Sequence, residues 1–337
     1  MKPGRLFVAL WCGVSLIGLA SAAPPERMAA AKHSAMPLLA EAARADSPDL
    51  RSESFLIVDQ RSGEALLARN ADRVAPIASI TKLLTALVVL DRRQPLSEIL
   101  LVTEEDRDRL RKSRSRLPIG SRLSRENLLR LALMSSENRA AAALSRNYPG
   151  GQPAFAKAMN DKARALGMRR SHFVEGTGLS ADNVSTARDL SLLLKAASAY
   201  PLIRQFSTEA DHTVALARGQ REFRNTNPLV KDPNWEISLS KTGYIEEAGR
   251  CLVMQTWMRG RPVLVVLLFW AVGLWSNRQG VPRLLEGDWD GYNVAAVEKL
   301  FTIYGEDKRA RYRNRVLPAG LSCAFTFSLQ EVFKNFY

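Results

Sequence analysis

The sequence predicts an α+β fold: one antiparallel sheet assembled from both ends of a domain, with a helical lobe inserted between them. Three observations predict it. Short apolar or alternating runs bounded by turn residues stand near residue 55 and again between residues 237 and 269. Helix-period apolar patterns fill the interval. The chain has 337 residues, 46% apolar and 24% charged, an ordinary globular balance that excludes a disordered, collagen-like or polytopic membrane chain.

Taken in order, residues 1–22 read as a secretory signal peptide. Lys2 and Arg5 make the positive start, Leu6 to Leu19 the apolar run, and Ala20-Ser21-Ala22 the small-residue cleavage site. Residues 23–52, rich in Ala, Pro, Ser and charge, read as a flexible leader. Phe55-Leu56-Ile57-Val58, the turn Gln60-Arg61-Ser62-Gly63 and the returning run Glu64 to Ala68 form a β-hairpin. From Ser79 to Leu90, Leu83, Leu84, Leu87, Val88 and Val89 give a helical stripe. Further helices are expected near Arg125–Met134, Asn138–Arg146, Pro153–Leu166 and Ala187–Ala197, with Gly167 capping the third of these. Ile237–Ser240, Cys251–Trp257 and Pro262–Phe269 read as antiparallel strands. The domain is expected over residues 53–270. Residues 271–337 form an atypical tail in which Val294–Tyr304 has an amphipathic helical pattern.

Lys and Arg outnumber Asp and Glu 48 to 34, a net charge of +14. In an exported protein this implies contact with anionic cell-wall polymer, or loose association with a membrane surface. No basic helix or aromatic-interleaved patch appears, so no nucleic acid is expected. His33, His172 and His212 are scattered and the cysteines are not paired in spacing, so no metal and no cofactor is expected. Cys12 falls in the signal. Cys251 and Cys323 leave one disulfide possible, but Cys251 sits in an apolar run and reads as a buried thiol on a strand.

Three short motifs carry chemistry. Ser79-Ile80-Thr81-Lys82 puts a hydroxyl and an amine one helical turn apart on one face. A serine needs an adjacent base to become a nucleophile, and a buried lysine can supply one. Ser136-Glu137-Asn138, between two helices, aims a second hydroxyl and a carboxamide into a cleft. Lys241-Thr242-Gly243, at the end of a predicted strand, offers a charge and a hydroxyl to a carboxylate and lets backbone approach a ligand. Each motif alone has an ordinary structural explanation. Their order and their contexts together are what single them out.

This trio resembles the low-molecular-mass penicillin-binding proteins. Pro76 to Leu83, Ala132 to Ala141, Asn183 to Leu190 and Lys241 to Tyr244 are similar to the D-alanyl-D-alanine endopeptidase group within them. Tyr148-Pro149-Gly150-Gly151 and Phe223 to Asn227 point the same way. The resemblance covers about residues 53–268 and implies a β-lactamase/transpeptidase-like fold. It also implies periplasmic serine acyl transfer on peptidoglycan stem peptides, with β-lactam antibiotics as mimics of the D-Ala-D-Ala end. Ser79 is then the nucleophile and Lys82 its base. Ser136 passes the proton to the leaving amine, with Lys241 tuning the charge nearby. Asn138 holds the peptide and Thr242 the substrate carboxylate. Gly243 lets the strand approach, and the backbone N–H groups of Ser79 and Tyr244 form the oxyanion hole.

The tail departs from that pattern after Leu268 and reads as an altered frame or a lineage-specific replacement. A D-alanyl-D-alanine carboxypeptidase and a non-catalytic cell-wall-binding protein are the alternatives. A β-lactamase would need a second carboxylate for deacylation. No E-x-x-L-N pattern lies between Asn138 and Lys241, and Glu175, the nearest stray acid, reads as structural.

Overall fold

The structure, a computed structural model, describes residues 52–217, 219–258 and 260–268. The signal segment, the leader up to Arg51, Cys323 and the tail with Val294–Tyr304 lie outside the described residues.

The chain opens with the expected hairpin, β1 (Ser54–Asp59) and β2 (Ala65–Arg69). Asp59 accepts from the N–H groups of Arg61 and Ser62, which fixes the turn. After the two-residue β3 (Ala75–Pro76) comes α1 (Thr81–Asp91). A small ladder, β4 (Ile99–Leu101) with β5 (Arg122–Ser124), precedes α2 (Arg125–Met134), whose N-cap Ser124 accepts from Asn127 N–H. Then follow α3 (Asn138–Arg146) and α4 (Gly151–Ala165), the latter ended by Gly167 at φ 81° as expected. β6 (Val184–Ser185) pairs with β3, and Thr186 caps α5 (Ala187–Ala197) by accepting from Asp189 N–H. The chain continues through α6 (Pro201–Thr208) and a hairpin, β7 (Asp211–Leu216) with β8 (Gly219–Arg224). It finishes in β9 (Ile237–Ile245), β10 (Gly249–Met258) and β11 (Arg261–Leu268).

The main sheet runs β2-β1-β11-β10-β9, all antiparallel. β1 pairs with β11 from Ser54↔Leu268 to Asp59↔Val263, so both ends of the domain share one sheet, as predicted. Alternation sends Leu56, Val253, Leu264 and Val266 into the core shared with the helices. Phe55, Met254, Val263 and Val265 form a separate apolar cluster on the opposite face. The unbroken apolar run of β11 is thus explained by burial on both faces.

Helix α1 departs from the amphipathic expectation. Thr81 to Val89 are all buried, so it is a central helix rather than a surface one with a single apolar stripe. It therefore carries Lys82 into the interior. β9, the last strand in the sheet order, has the turn before α1 packed against it. These two placements build the site.

Candidate active site

Ser79 lies in a 3-10 turn, Ala78–Ile80, that leads into α1. Ala78 takes φ 48°, a left-handed value that costs a non-glycine residue about 1 kcal/mol. Two glycines make room for this kink. A methyl group on Gly178 would lie 2.1 Å from the Ala78 carbonyl oxygen, and one on Gly243 would lie 3.0 Å from Ser79 N. Backbone from two distant segments closes on the Ser79 amide because neither residue has a Cβ.

One turn later, Lys82 Nζ lies 2.7 Å from Ser79 Oγ. It also donates to Asn138 Oδ1 at 2.8 Å and to Thr177 O at 2.6 Å. The side chain is fully buried and all three partners are neutral oxygens. Burial pushes its pKa down to about 8, while the charges of Glu175, Glu137 and Asp108 oppose the fall.

Ser136 joins α2 to α3 with φ 56°, a second left-handed non-glycine residue in the site. This conformation puts its Oγ 2.9 Å from Lys241 Nζ. Asn138 opens α3, and its Nδ2 donates to Ser113 Oγ at 3.0 Å.

Lys241, Thr242 and Gly243 sit inside β9, which runs on to Ile245, and not at a strand end as predicted. The pairs Lys241↔Val253, Thr242↔Leu252, Gly243↔Cys251 and Tyr244↔Arg250 carry the ladder through the motif. The apolar pattern stops at Ser240, but the partner strand extends the pairing regardless. Lys241 is buried and donates to Thr242 O at 2.7 Å. Burial and the charge of Lys82 push its pKa well below the usual lysine range. Thr242 Oγ1 lies 2.6 Å from Thr226 Oγ1. Tyr244 is half exposed beside them. Cys251 lies buried on β10, as expected.

The structure therefore brings Ser79, Lys82, Ser136, Asn138, Lys241, Thr242 and Gly243 into one cluster. The arrangement pairs each of two hydroxyls with a lysine that burial biases toward its neutral form. A hydroxyl so placed can lose its proton to the amine as it attacks a carbonyl.

Four contributors escaped the sequence reading: Thr177, Ser113, Thr226 and Arg111. Arg111 donates to Leu179 O at 2.6 Å and pairs with Glu247 at 2.7 Å, linking three segments around the cleft. Thr226 N–H donates to Met134 O, which ties the end of β8 to the end of α2 next to Ser136. The resemblance of the Phe223–Asn227 run to the family is the one signal in the sequence for Thr226. Glu175 holds a turn, as expected: its carboxylate accepts from the N–H groups of Thr177 and Gly178 and from Asn183 Nδ2.

Comparisons with known proteins identify relatives of this chain. The chain is 49% identical over 279 residues to the D-alanyl-D-alanine endopeptidase of Pseudomonas aeruginosa, covering 82% of this chain and 85% of the relative. It is 48% identical over 247 residues to that of Escherichia coli, covering 73% and 79%. Its fold matches a mutant Streptomyces K15 DD-transpeptidase with a TM-score of 0.61 at 26% identity, over 66% of this chain and 91% of the other. The Peptidase S11 family model, described as D-alanyl-D-alanine carboxypeptidase, matches residues 41–269. The chain belongs to the Peptidase S11 family of serine peptidases.

Proposed function

We propose that this protein is a periplasmic D-alanyl-D-alanine endopeptidase that hydrolyses D-Ala-to-diaminopimelate cross-links of peptidoglycan through an acyl-Ser79 intermediate. One observation carries the reading: two buried lysines each contact a cleft serine, Lys82 on Ser79 at 2.7 Å and Lys241 on Ser136 at 2.9 Å.

In this reading neutral Lys82 takes the Ser79 proton as Oγ attacks the D-alanine carbonyl. The backbone N–H groups of Ser79 and Tyr244 hold the oxyanion, and losing one such donor typically costs ~10²–10³ in rate. As the C–N bond breaks, Ser136 gives its proton to the leaving amine and is resupplied from the lysines. Water then attacks the ester, the proton returns along the same path, and Ser79 is released. Asn138 holds the stem peptide and Thr242 the substrate carboxylate. A β-lactam enters the first half of this cycle and stays as an acyl-enzyme. Glu175, the nearest stray acid, has its oxygens committed to the turn it caps.

Both named relatives from Pseudomonas and Escherichia are endopeptidases, which supports that specificity. Carboxypeptidase action on the terminal D-Ala is the second reading, favoured by the family description. Cross-linked dimeric muropeptide against monomeric pentapeptide separates the two. A fluorescent penicillin tests the mechanism itself: covalent labelling of the wild type and none of Ser79→Ala is expected. No labelling, or cell-wall function surviving in Ser79→Ala, would establish the non-catalytic wall-binding alternative.

Residues 1–22 are proposed as a cleaved export signal, 23–52 as a leader, 53–270 as the catalytic domain and 271–337 as an appended tail. Sequencing the amino terminus of the periplasmic protein tests the first boundary, with Ala23 expected.

A further inference from the structure

The segment Arg107–Arg116 carries six basic residues and one acid, Asp108. It forms part of the wall beside the site. Ser113 Oγ accepts from Asn138, and Ser115 Oγ donates to Glu137. The segment is also fastened. Asp108 accepts from the N–H groups of Leu110, Arg111 and Ser113, and Arg111 is tied to Leu179 O and Glu247.

From 111 to 116 exposure alternates. Arg111, Ser113 and Ser115 are half-buried against the site, while Lys112, Arg114 and Arg116 are exposed. Hairpin β7–β8 adds a further exposed cation, because Arg221 donates to Arg116 O at 2.9 Å. The Arg116 guanidinium lies 5.5 Å from the centre of the Phe223 ring. Among the described residues, neither Lys112 nor Arg114 has an acidic partner. Lys112 and Arg114 thus present two like charges on the solvent side of the same segment, a local positive potential that attracts an anion.

We propose that Lys112 and Arg114, backed by Arg116 and Arg221, form a carboxylate subsite on the rim of the cleft. It favours stem peptides with free carboxylates over amidated ones. The inference rests on the peptidoglycan reading, since a cross-linked stem peptide bears carboxylates away from the scissile bond. Each exposed ion pair contributes about threefold in binding, so two give roughly tenfold. Because the subsite is open to solvent, salt screens it, the Debye length falling to ~3 Å at about 1 M.

The test compares the mature protein on a cross-linked muropeptide dimer with free carboxylates and on the same dimer amidated away from the scissile bond. The expected kcat/KM ratio is about tenfold in favour of the free acid at low ionic strength, closing near 1 M salt. Lys112→Gln with Arg114→Gln should bring the free-acid dimer down to the amidated level, and Lys112→Glu with Arg114→Glu should invert the preference. Equal rates in the wild type, or a full preference kept by the double glutamine variant, would overturn the subsite while leaving the endopeptidase reading intact. Should the variants fail to fold, a wild-type preference unmoved by salt overturns it instead. A wild type that takes no penicillin label and cuts neither dimer overturns both readings.

Discussion

Lys82 Nζ stands 2.7 Å from Ser79 Oγ in a cage whose other two contacts, Asn138 Oδ1 and Thr177 O, are also uncharged. A buried ammonium contacting a carboxylate would keep its proton. A neutral amine can donate its two N–H groups to Asn138 Oδ1 and Thr177 O and turn its lone pair to the Ser79 hydroxyl, and burial favours this neutral base.

Penicillin acylation should therefore rise with pH and level off above about 8, the value to which burial lowers Lys82. Stability follows the same sign. The folded state binds the Lys82 proton more weakly than the unfolded chain, so this group adds stability as pH rises from about 8 toward the unfolded lysine value. Glu137→Gln keeps an oxygen for Ser115 and for Arg139 N–H but removes a charge that holds the Lys82 pKa up. Its acylation midpoint should move to lower pH. A stopped-flow pH profile with an unchanged midpoint would remove Lys82 from the role of base.

Replacing Lys82 by Met keeps a four-atom apolar stem and removes the amine. Acylation should fall by at least ~10³, since Ser79 loses its base. Asn138 Oδ1 and Thr177 O lose a donor, at a cost of about 1–3 kcal/mol in stability. Acylation rates with denaturant melts read both. A variant that labels at the wild-type rate contradicts the mechanism.

Gly178→Ala should destabilise by more than about 2 kcal/mol, because its φ of 80° is compounded by a methyl group 2.1 Å from Ala78 O. Gly63→Ala is the control. It has φ 73° with nothing within 4 Å, and should cost only about 1 kcal/mol. Equal melting shifts in the two variants would mean that the close approach behind Ser79 carries no weight.

Thr226→Val removes the hydroxyl 2.6 Å from Thr242 Oγ1 without changing shape. Thr242 then loses a partner that orients it, and acylation by carboxylate-bearing penicillins should slow roughly 2- to 10-fold. The measured quantity is the second-order acylation constant, with the melting temperature as control. A drop in stability with no change in that constant would make the contact structural only.

Local chemistry was legible in the residues. Ser79 and Lys82 are neighbours by helical spacing, Gly167 ends its helix, and the apolar runs of β1, β10 and β11 declare a sheet. Those features depend on side chains and backbone torsions within one turn or one strand. The polar hairpin β7–β8 and the short α6 were invisible, since an exposed ladder and an eight-residue helix leave little periodic apolar signal. Lys241 to Gly243 became strand interior only because β10 pairs through them. Ser113 and Thr226 reached the site across 25 and 16 residues, from segments with no pattern of their own. The charge state of Lys82 belongs to this second group too. Desolvation is a property of everything packed around the amine, and the fold had to close over α1 before a surface-type residue could act as a base.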